Sequence, residues 1–181
     1  MPIEGATFEA AMREYQKHLN ALLTRTVTQA RLVVAAYPSP PAGPPRMQIA
    51  FRRHGAAVLA PLRTRFGQVG LYLGQLCEDV STPEGRHHIL TVAYQYTLTP
   101  SGTDEALLRW EYVKRPARGA QWCRHHLPGP VRLTVGRRAT RLNDWHLPTG
   151  HVAIEELLRF CIVDLGVKPQ SVGWDAVLRE L

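Results

Sequence analysis

Apolar and polar residues repeat with two different periods along this chain, and the period changes across a run of prolines. From Phe8, apolar side chains recur at steps of three and four through Met12, Tyr15, Leu19, Leu22 or Leu23, and Thr26 or Val27. Arg13, Lys17, Asn20 and Arg25 stand off that stripe. This spacing predicts an amphipathic helix with Thr7 as its N-cap, running to about Tyr37. At ~1.5 Å per residue such a helix would span about 40 Å, more than a compact core of this size needs, so it could cross one face of a sheet or reach a partner. "PSPPAGPP", Pro38 to Pro45, must end it, because prolines lack a backbone donor and disfavour helix in the residue before them. The run reads as a stiff extended linker.

From Met47 the period shortens. "MQIAFRR", "AAVLAPLR" and "QVGLYLGQL" combine β-branched and aromatic residues with glycine punctuation, as short strands do, although "GQVGLYLGQLCEDV" also admits a helix. Leu90, Val92, Tyr94, Tyr96 and Leu98 alternate with Thr91, Ala93, Gln95 and Thr97, a period of two. "TPSGTDEA" supplies turn chemistry, and Leu108, Trp110 and Tyr112 then alternate with Arg109, Glu111 and Val113, which predicts an antiparallel hairpin. Val131, Leu133 and Val135 mark a further strand before the basic "GRR". Helical spacing returns with Ile154, Leu157, Leu158, Cys161 and Leu165 behind Thr149 as N-cap, closed by Gly166 and Pro169. Trp174, Val177, Leu178 and Leu181 fit a last short helix. The expected architecture is α+β: a long N-terminal helix, an antiparallel β-sheet of about four to six strands, and two C-terminal helices. In domains this reads as an N-terminal helical segment (1–37), a Pro-rich linker (38–46) and an α+β domain (47–181).

A hydrophobic fraction of 45% in 181 residues is enough for a core, and no apolar run approaches the ~20 residues of a membrane span. "MPIEGATFEAAMREYQ" lacks the basic and apolar regions of a secretory signal. Cys77, Cys123 and Cys161 are an odd, unpaired set, which favours free thiols in a reducing compartment, and the expected location is cytoplasmic. The net charge of +7 is concentrated. Arg109, Lys114, Arg115, Arg118, Arg124, Arg132, Arg137, Arg138 and Arg141 face a single acid, Glu111, within that span. A local field of this kind suits a polyanion, RNA rather than DNA, or an acidic partner protein; a basic face that only keeps the chain in solution is the plainer alternative.

"WCRHHLPGPVRL" holds the densest candidate chemistry. Cys123, His125 and His126, with His87, His88, His146 and His151 elsewhere, are permitted metal ligands. No CxxC, HxxxH or HExxH spacing accompanies them, so no metal and no cofactor is expected. Histidine titrates near neutrality, and paired histidines with arginine and tyrosine can cleave RNA without a metal. The constellation drawn from these residues is His125 or His126 with Arg124, Tyr94 or Tyr96, and Arg109 or Glu111. Tyr94, Tyr96 and Trp110 lie on the apolar phase of their strands, which favours packing over base stacking. Lys114, Arg115, Arg118, Arg132, Arg137, Arg138 and Arg141 would hold a phosphate backbone, with Trp122 beside them as a stacking ring. No Walker A loop, dinucleotide fingerprint, GxSxG or kinase signature occurs.

"VAYQYTLTPSGTDEALLRWEY", the double histidine of "CRHHL" and the amphipathic "AIEELLRFCIVDL" together resemble the TumE-type toxins of bacterial toxin–antitoxin pairs, over about residues 90–165. The chain departs from that pattern at "RPARGAQW". The resemblance implies a small toxin acting on RNA and silenced by an antitoxin. It carries over to Tyr94, Tyr96, Arg109, His125 and His126. The expected function is therefore a nucleic-acid-directed protein of a toxin–antitoxin or defence system, acting as a metal-independent ribonuclease. The alternative is a non-catalytic subunit of a larger bacterial assembly, docking through the long helix and the basic strand face.

Overall fold

The computed structural model describes residues 3–116, 125–127, 132–135, 138–141 and 147–179. Its organising element is a 10-stranded antiparallel sheet. Chain order begins with β1 (Glu4–Gly5), α1 (Phe8–Thr26), β2 (Leu32–Tyr37), β3 (Arg46–Arg53), β4 (Ala56–Ala57) and β5 (Ala60–Thr64). It continues with β6 (Gly67–Ser81), β7 (His87–Pro100), β8 (Leu108–Val113), β9 (His125–Leu127), β10 (Arg132–Val135), β11 (Arg138–Arg141) and β12 (Leu147–Pro148), then α2 (Ile154–Val163) and α3 (Trp174–Val177). The sheet runs β12–β9–β8–β7–β6–β3–β2, with β1, β4 and β5 pairing onto β7, β3 and β6, while β10 and β11 form a separate hairpin.

Two expectations are corrected here. The sheet has 10 strands where about four to six were expected, because β6 and β7 are 15 and 14 residues long and offer edges to several partners. "GQVGLYLGQLCEDV" belongs to β6, so its strand reading holds and its helical one does not. The N-terminal helix ends at Thr26, well short of Tyr37. Thr24, Thr26, Val27 and Thr28 crowd the last turn with β-branched side chains that lose rotamer freedom in a helix. Asn20 then captures the returning chain: its Oδ1 accepts from Leu32 N at 2.7 Å and its Nδ2 donates to Leu32 O at 3.2 Å. Leu32–Tyr37 pairs with β3 from Leu32↔Phe51 to Tyr37↔Arg46, so the proline-rich residues connect a hairpin.

Capping is as expected at one helix and different at the other. Thr7 Oγ1 accepts from Ala10 N at 3.1 Å and starts α1. At α2 the cap position is Ala153, whose N–H donates to Glu156 Oε2 at 2.9 Å, and not Thr149. His54 and Gly55, with φ of 50° and 81°, form the tight turn between β3 and β4, where both central positions require the left-handed region.

The core lies between one face of the sheet and the helices. Met12, Leu19 and Leu23 of α1, Leu71 and Leu73 of β6, Tyr96 and Leu98 of β7, and Leu157, Leu158 and Cys161 of α2 are all 0–2% exposed. Burying a leucine of this kind stabilises by about 1.5–3 kcal/mol. The C-terminal segment is tied back by Gln170 N to Thr26 O and by Arg65 N to Leu165 O, both 2.8 Å. Cys77 and Cys161 are free thiols in this core, and burial pushes both up to about 12. In a Cys123→Ser variant, a thiol reagent at neutral pH should therefore label nothing until denaturant is added. Rapid labelling of the native variant would show that the core opens far more readily than this packing allows. Among the described residues no helix is long and apolar enough to cross a membrane.

Candidate active site

Strand register builds the site. Tyr94 of β7 pairs with Tyr112 of β8, which pairs with His125 of β9. Because side chains alternate between faces, this row shares the helix-covered face with Gln75, the β6 partner of Tyr94. The Tyr112 and His125 rings stack at 4.4 Å between centroids and 14° between planes. After β12, Thr149 N donates to His125 O at 3.2 Å and Val152 N donates to the Tyr94 hydroxyl at 2.9 Å. Two anchors thus hold the turn that carries His151. The His151 ring stands edge-on to Tyr94 at 5.5 Å, to Tyr112 at 6.1 Å and to His125 at 5.7 Å. An aromatic bed of two tyrosines therefore carries two imidazoles side by side.

Next to His151 lies a cavity of about 270 Å³ lined by Tyr15 and His18 of α1, Gln75, Tyr96 and Glu155. Its floor is a buried relay. Tyr15 OH donates to Gln75 Oε1 at 2.6 Å, and Gln75 Nε2 donates to Tyr96 OH at 2.7 Å. Burial is the main reason that the Tyr15 and Tyr96 phenols sit far above their ordinary range, and the Glu155 carboxylate adds to it. Burial also raises Tyr94, partly offset by the Val152 N–H. These phenols stay neutral near pH 7, so they donate or accept hydrogen bonds and do not serve as bases. Histidine is then the residue type here suited to taking up and releasing protons near neutrality.

The structure divides the expected residues between two faces. Tyr94 and His125 come together, with ring centroids 6.5 Å apart. Tyr96 stacks on Tyr94 at 4.5 Å but is only 1% exposed, so it belongs to the packed interior. Arg109 pairs with Thr97, one position out of phase with the tyrosine row, and its Nε lies 3.2 Å from Glu111 Oε1 on the opposite face. His126 pairs in register with Glu111. Lys114 and Arg115 follow β8 and line a separate cavity with Arg46 and Glu78. Arg132, Arg138 and Arg141 lie on the β10–β11 hairpin, in the pairs Arg132↔Arg141 and Val135↔Arg138. Arg118, Trp122, Arg124 and Arg137 lie outside the described residues, as do Cys123 and His146.

Sequence reasoning missed three participants. Tyr112 was assigned only to strand alternation, and His151 only to the set of metal ligands. His18 follows Tyr15 by three residues, the spacing that puts both on one side of a helix, and that was the available signal. The other double histidine has a structural explanation. His87 Nδ1 lies 2.9 Å from both carboxylate oxygens of Asp79, while His88 Nε2 and Arg86 Nε lie 3.5 and 2.6 Å from Glu4, so this cluster ties β7 to β6 on one side and to β1 on the other. Among the described residues, no group of three or more His, Cys, Asp or Glu is placed to hold a metal ion. Comparison with protein-family models, with curated proteins and with solved structures found no match to this chain.

Proposed function

We propose that this protein cleaves single-stranded RNA by histidine acid–base chemistry, in the manner of the toxin of a toxin–antitoxin pair. The observation that carries this reading is the approach of His125 and His151 to 5.7 Å on the Tyr94–Tyr112 bed. Two imidazoles at that separation can flank one phosphodiester, each within hydrogen-bond reach of a different oxygen. One takes the 2′-hydroxyl proton as that oxygen attacks phosphorus. The other protonates the departing 5′-oxygen. The products are a 2′,3′-cyclic phosphate and a 5′-hydroxyl, so atoms and charge balance without a further reactant. Along the sequence, the run from Arg109 to Arg141 has nine basic residues against one acid, which favours a polyanion as the partner of this chain. A net charge of +7 likewise suits silencing by an acidic protein partner.

The test is incubation of the purified chain with end-labelled single-stranded RNA in the presence of EDTA, beside a His125→Ala/His151→Ala double variant. Cyclic-phosphate products that the double variant fails to make are the expected result. Salt-sensitive binding with no cleavage by the unmodified chain would overturn the reading and leave a non-catalytic binding protein.

A further inference from the structure

The face of the sheet opposite the tyrosine–histidine row carries a second set of groups. Gln48 pairs with Leu76, and Tyr72 pairs with Thr97, each one position out of phase with the residues that α1 covers. Tyr37, Gln48, Tyr72, Gln95 and Glu111 line a cavity of about 420 Å³ there, inside the ~300–1,000 Å³ range of small-ligand sites. Tyr72 lies along the sheet over Gly74, where a Cβ would sit 2.7 Å from its hydroxyl and 3.0 Å from its ring. A side chain at position 74 would force the outer end of the Tyr72 ring to shift. Gln48 is oriented by Arg52, whose Nη2 donates to Gln48 Oε1, so the amide –NH2 of Gln48 is left to donate elsewhere. Leu76, Ala93 and Val113 line both this cavity and a neighbouring one of about 140 Å³, which Arg46, Lys114 and Arg115 also border. Glu78 is the one carboxylate in the smaller cavity, and it is engaged by Arg46. Three cations against one acid leave an excess of two positive charges.

We propose that this face binds a nucleotide unit, its base against Tyr37 and Tyr72 and its phosphate against Arg46, Lys114 and Arg115. A tyrosine ring offers a stacking surface that any base can use. The Gln48 –NH2 can donate to an acceptor on the polar edge of a base. The smaller cavity has room for one phosphate group and the cations to neutralise it. Three shared lining residues put the two cavities within the span of one nucleotide. Tyr37 is 42% exposed and at the end of β2, so a ligand can reach it without displacing the core. The inference goes beyond cleavage, because these residues lie on the face opposite His125 and bind whether or not RNA is cut.

The test uses the full chain carrying His125→Ala and His151→Ala, so that no turnover intervenes, in calorimetric titrations with the four nucleoside 5′-monophosphates, their nucleosides, inorganic phosphate and a short single-stranded RNA. Saturable monophosphate binding is expected, with affinity falling about tenfold or more when the phosphate is absent. Lys114→Ala/Arg115→Ala should abolish that difference and leave nucleoside affinity unchanged. Tyr37→Ala should weaken nucleoside and nucleotide alike by about fivefold or more. RNA binding tighter than monophosphate assigns the site to a strand, and equal affinity assigns it to the free nucleotide; either result supports the site. No saturable monophosphate binding, or inorganic phosphate competing as well as the nucleotides, would overturn it. Cleavage by the unmodified chain is read separately, so either inference can fail alone.

Discussion

Replacing His151 with alanine is expected to lower the rate of RNA cleavage by about 10²–10⁴-fold, the usual contribution of a positioned acid or base. The ring is exposed and held from its backbone side, by the Val152 N–H on the Tyr94 hydroxyl. Truncation therefore removes the imidazole without opening the core, and the thermal midpoint should hardly move. His125→Ala should cost a similar factor, because its ring is the other half of the pair at 5.7 Å. The two losses should not fully add, since the acid and the base act in one transition state. The pH profile supplies the sharper reading. A base that must be unprotonated and an acid that must be protonated give a bell, rising with pH as the base deprotonates and falling as the acid does. Each alanine variant should lose one limb of that bell. A full bell in both variants, or unchanged rates, would remove these histidines from the chemistry. Tyr94→Phe offers a positioning control. It deletes the acceptor for Val152 N–H, so kcat should fall more than KM changes, with both limbs of the bell retained.

The second large effect concerns stability. Gln75 is 5% exposed at the centre of β6, and it accepts from Tyr15 and donates to Tyr96, which is 1% exposed. Gln75→Met keeps similar volume but leaves two hydroxyls without this partner in a low-dielectric interior. A buried polar group without a partner costs ~1–3 kcal/mol, so the substitution should destabilise by about 2–4 kcal/mol. For a chain of this size that is a fall of roughly 5–15 °C in Tm. Removing the stranded hydroxyls should restore much of the loss. A Tyr15→Phe/Gln75→Met/Tyr96→Phe triple variant is expected to be more stable than Gln75→Met alone, a non-additivity visible in chemical denaturation. A triple variant less stable than the single one by the sum of the separate losses would show that the relay is not a coupled unit.

Local pattern carried some of this architecture. Thr7 as a helix cap, the alternation of Tyr94 and Tyr96 against Gln95, and the turn between β7 and β8 all depend on neighbours a few residues apart, and each appears in the structure. The end of α1 was less legible. "LVVAAY" is apolar enough to extend a helical stripe, and its strand character depends on Asn20 and on pairing with β3. The size of the sheet was hidden for the same reason, since strand pairing is a long-range choice that periodicity does not report. At the candidate site, the sequence picks out His125 and Tyr94 as residues with suitable chemistry, but it groups Arg109 with them although Arg109 lies across a face boundary. A period of two separates faces along one strand; it does not say which strands will be neighbours.

By itself, then, the sequence determined the residue types near the histidines, the concentration of positive charge between Arg109 and Arg141, and the local elements around caps and turns. Only the tertiary structure decided which groups meet. His151 reaches His125 across 26 positions of chain because β12 pairs with β9, and the segment after β12, anchored by Thr149 N on His125 O, brings Val152 to Tyr94. Backbone preference acts over a few residues, whereas a site of this kind is assembled by register and packing between segments distant in the chain, whose energies are settled only when the whole core forms.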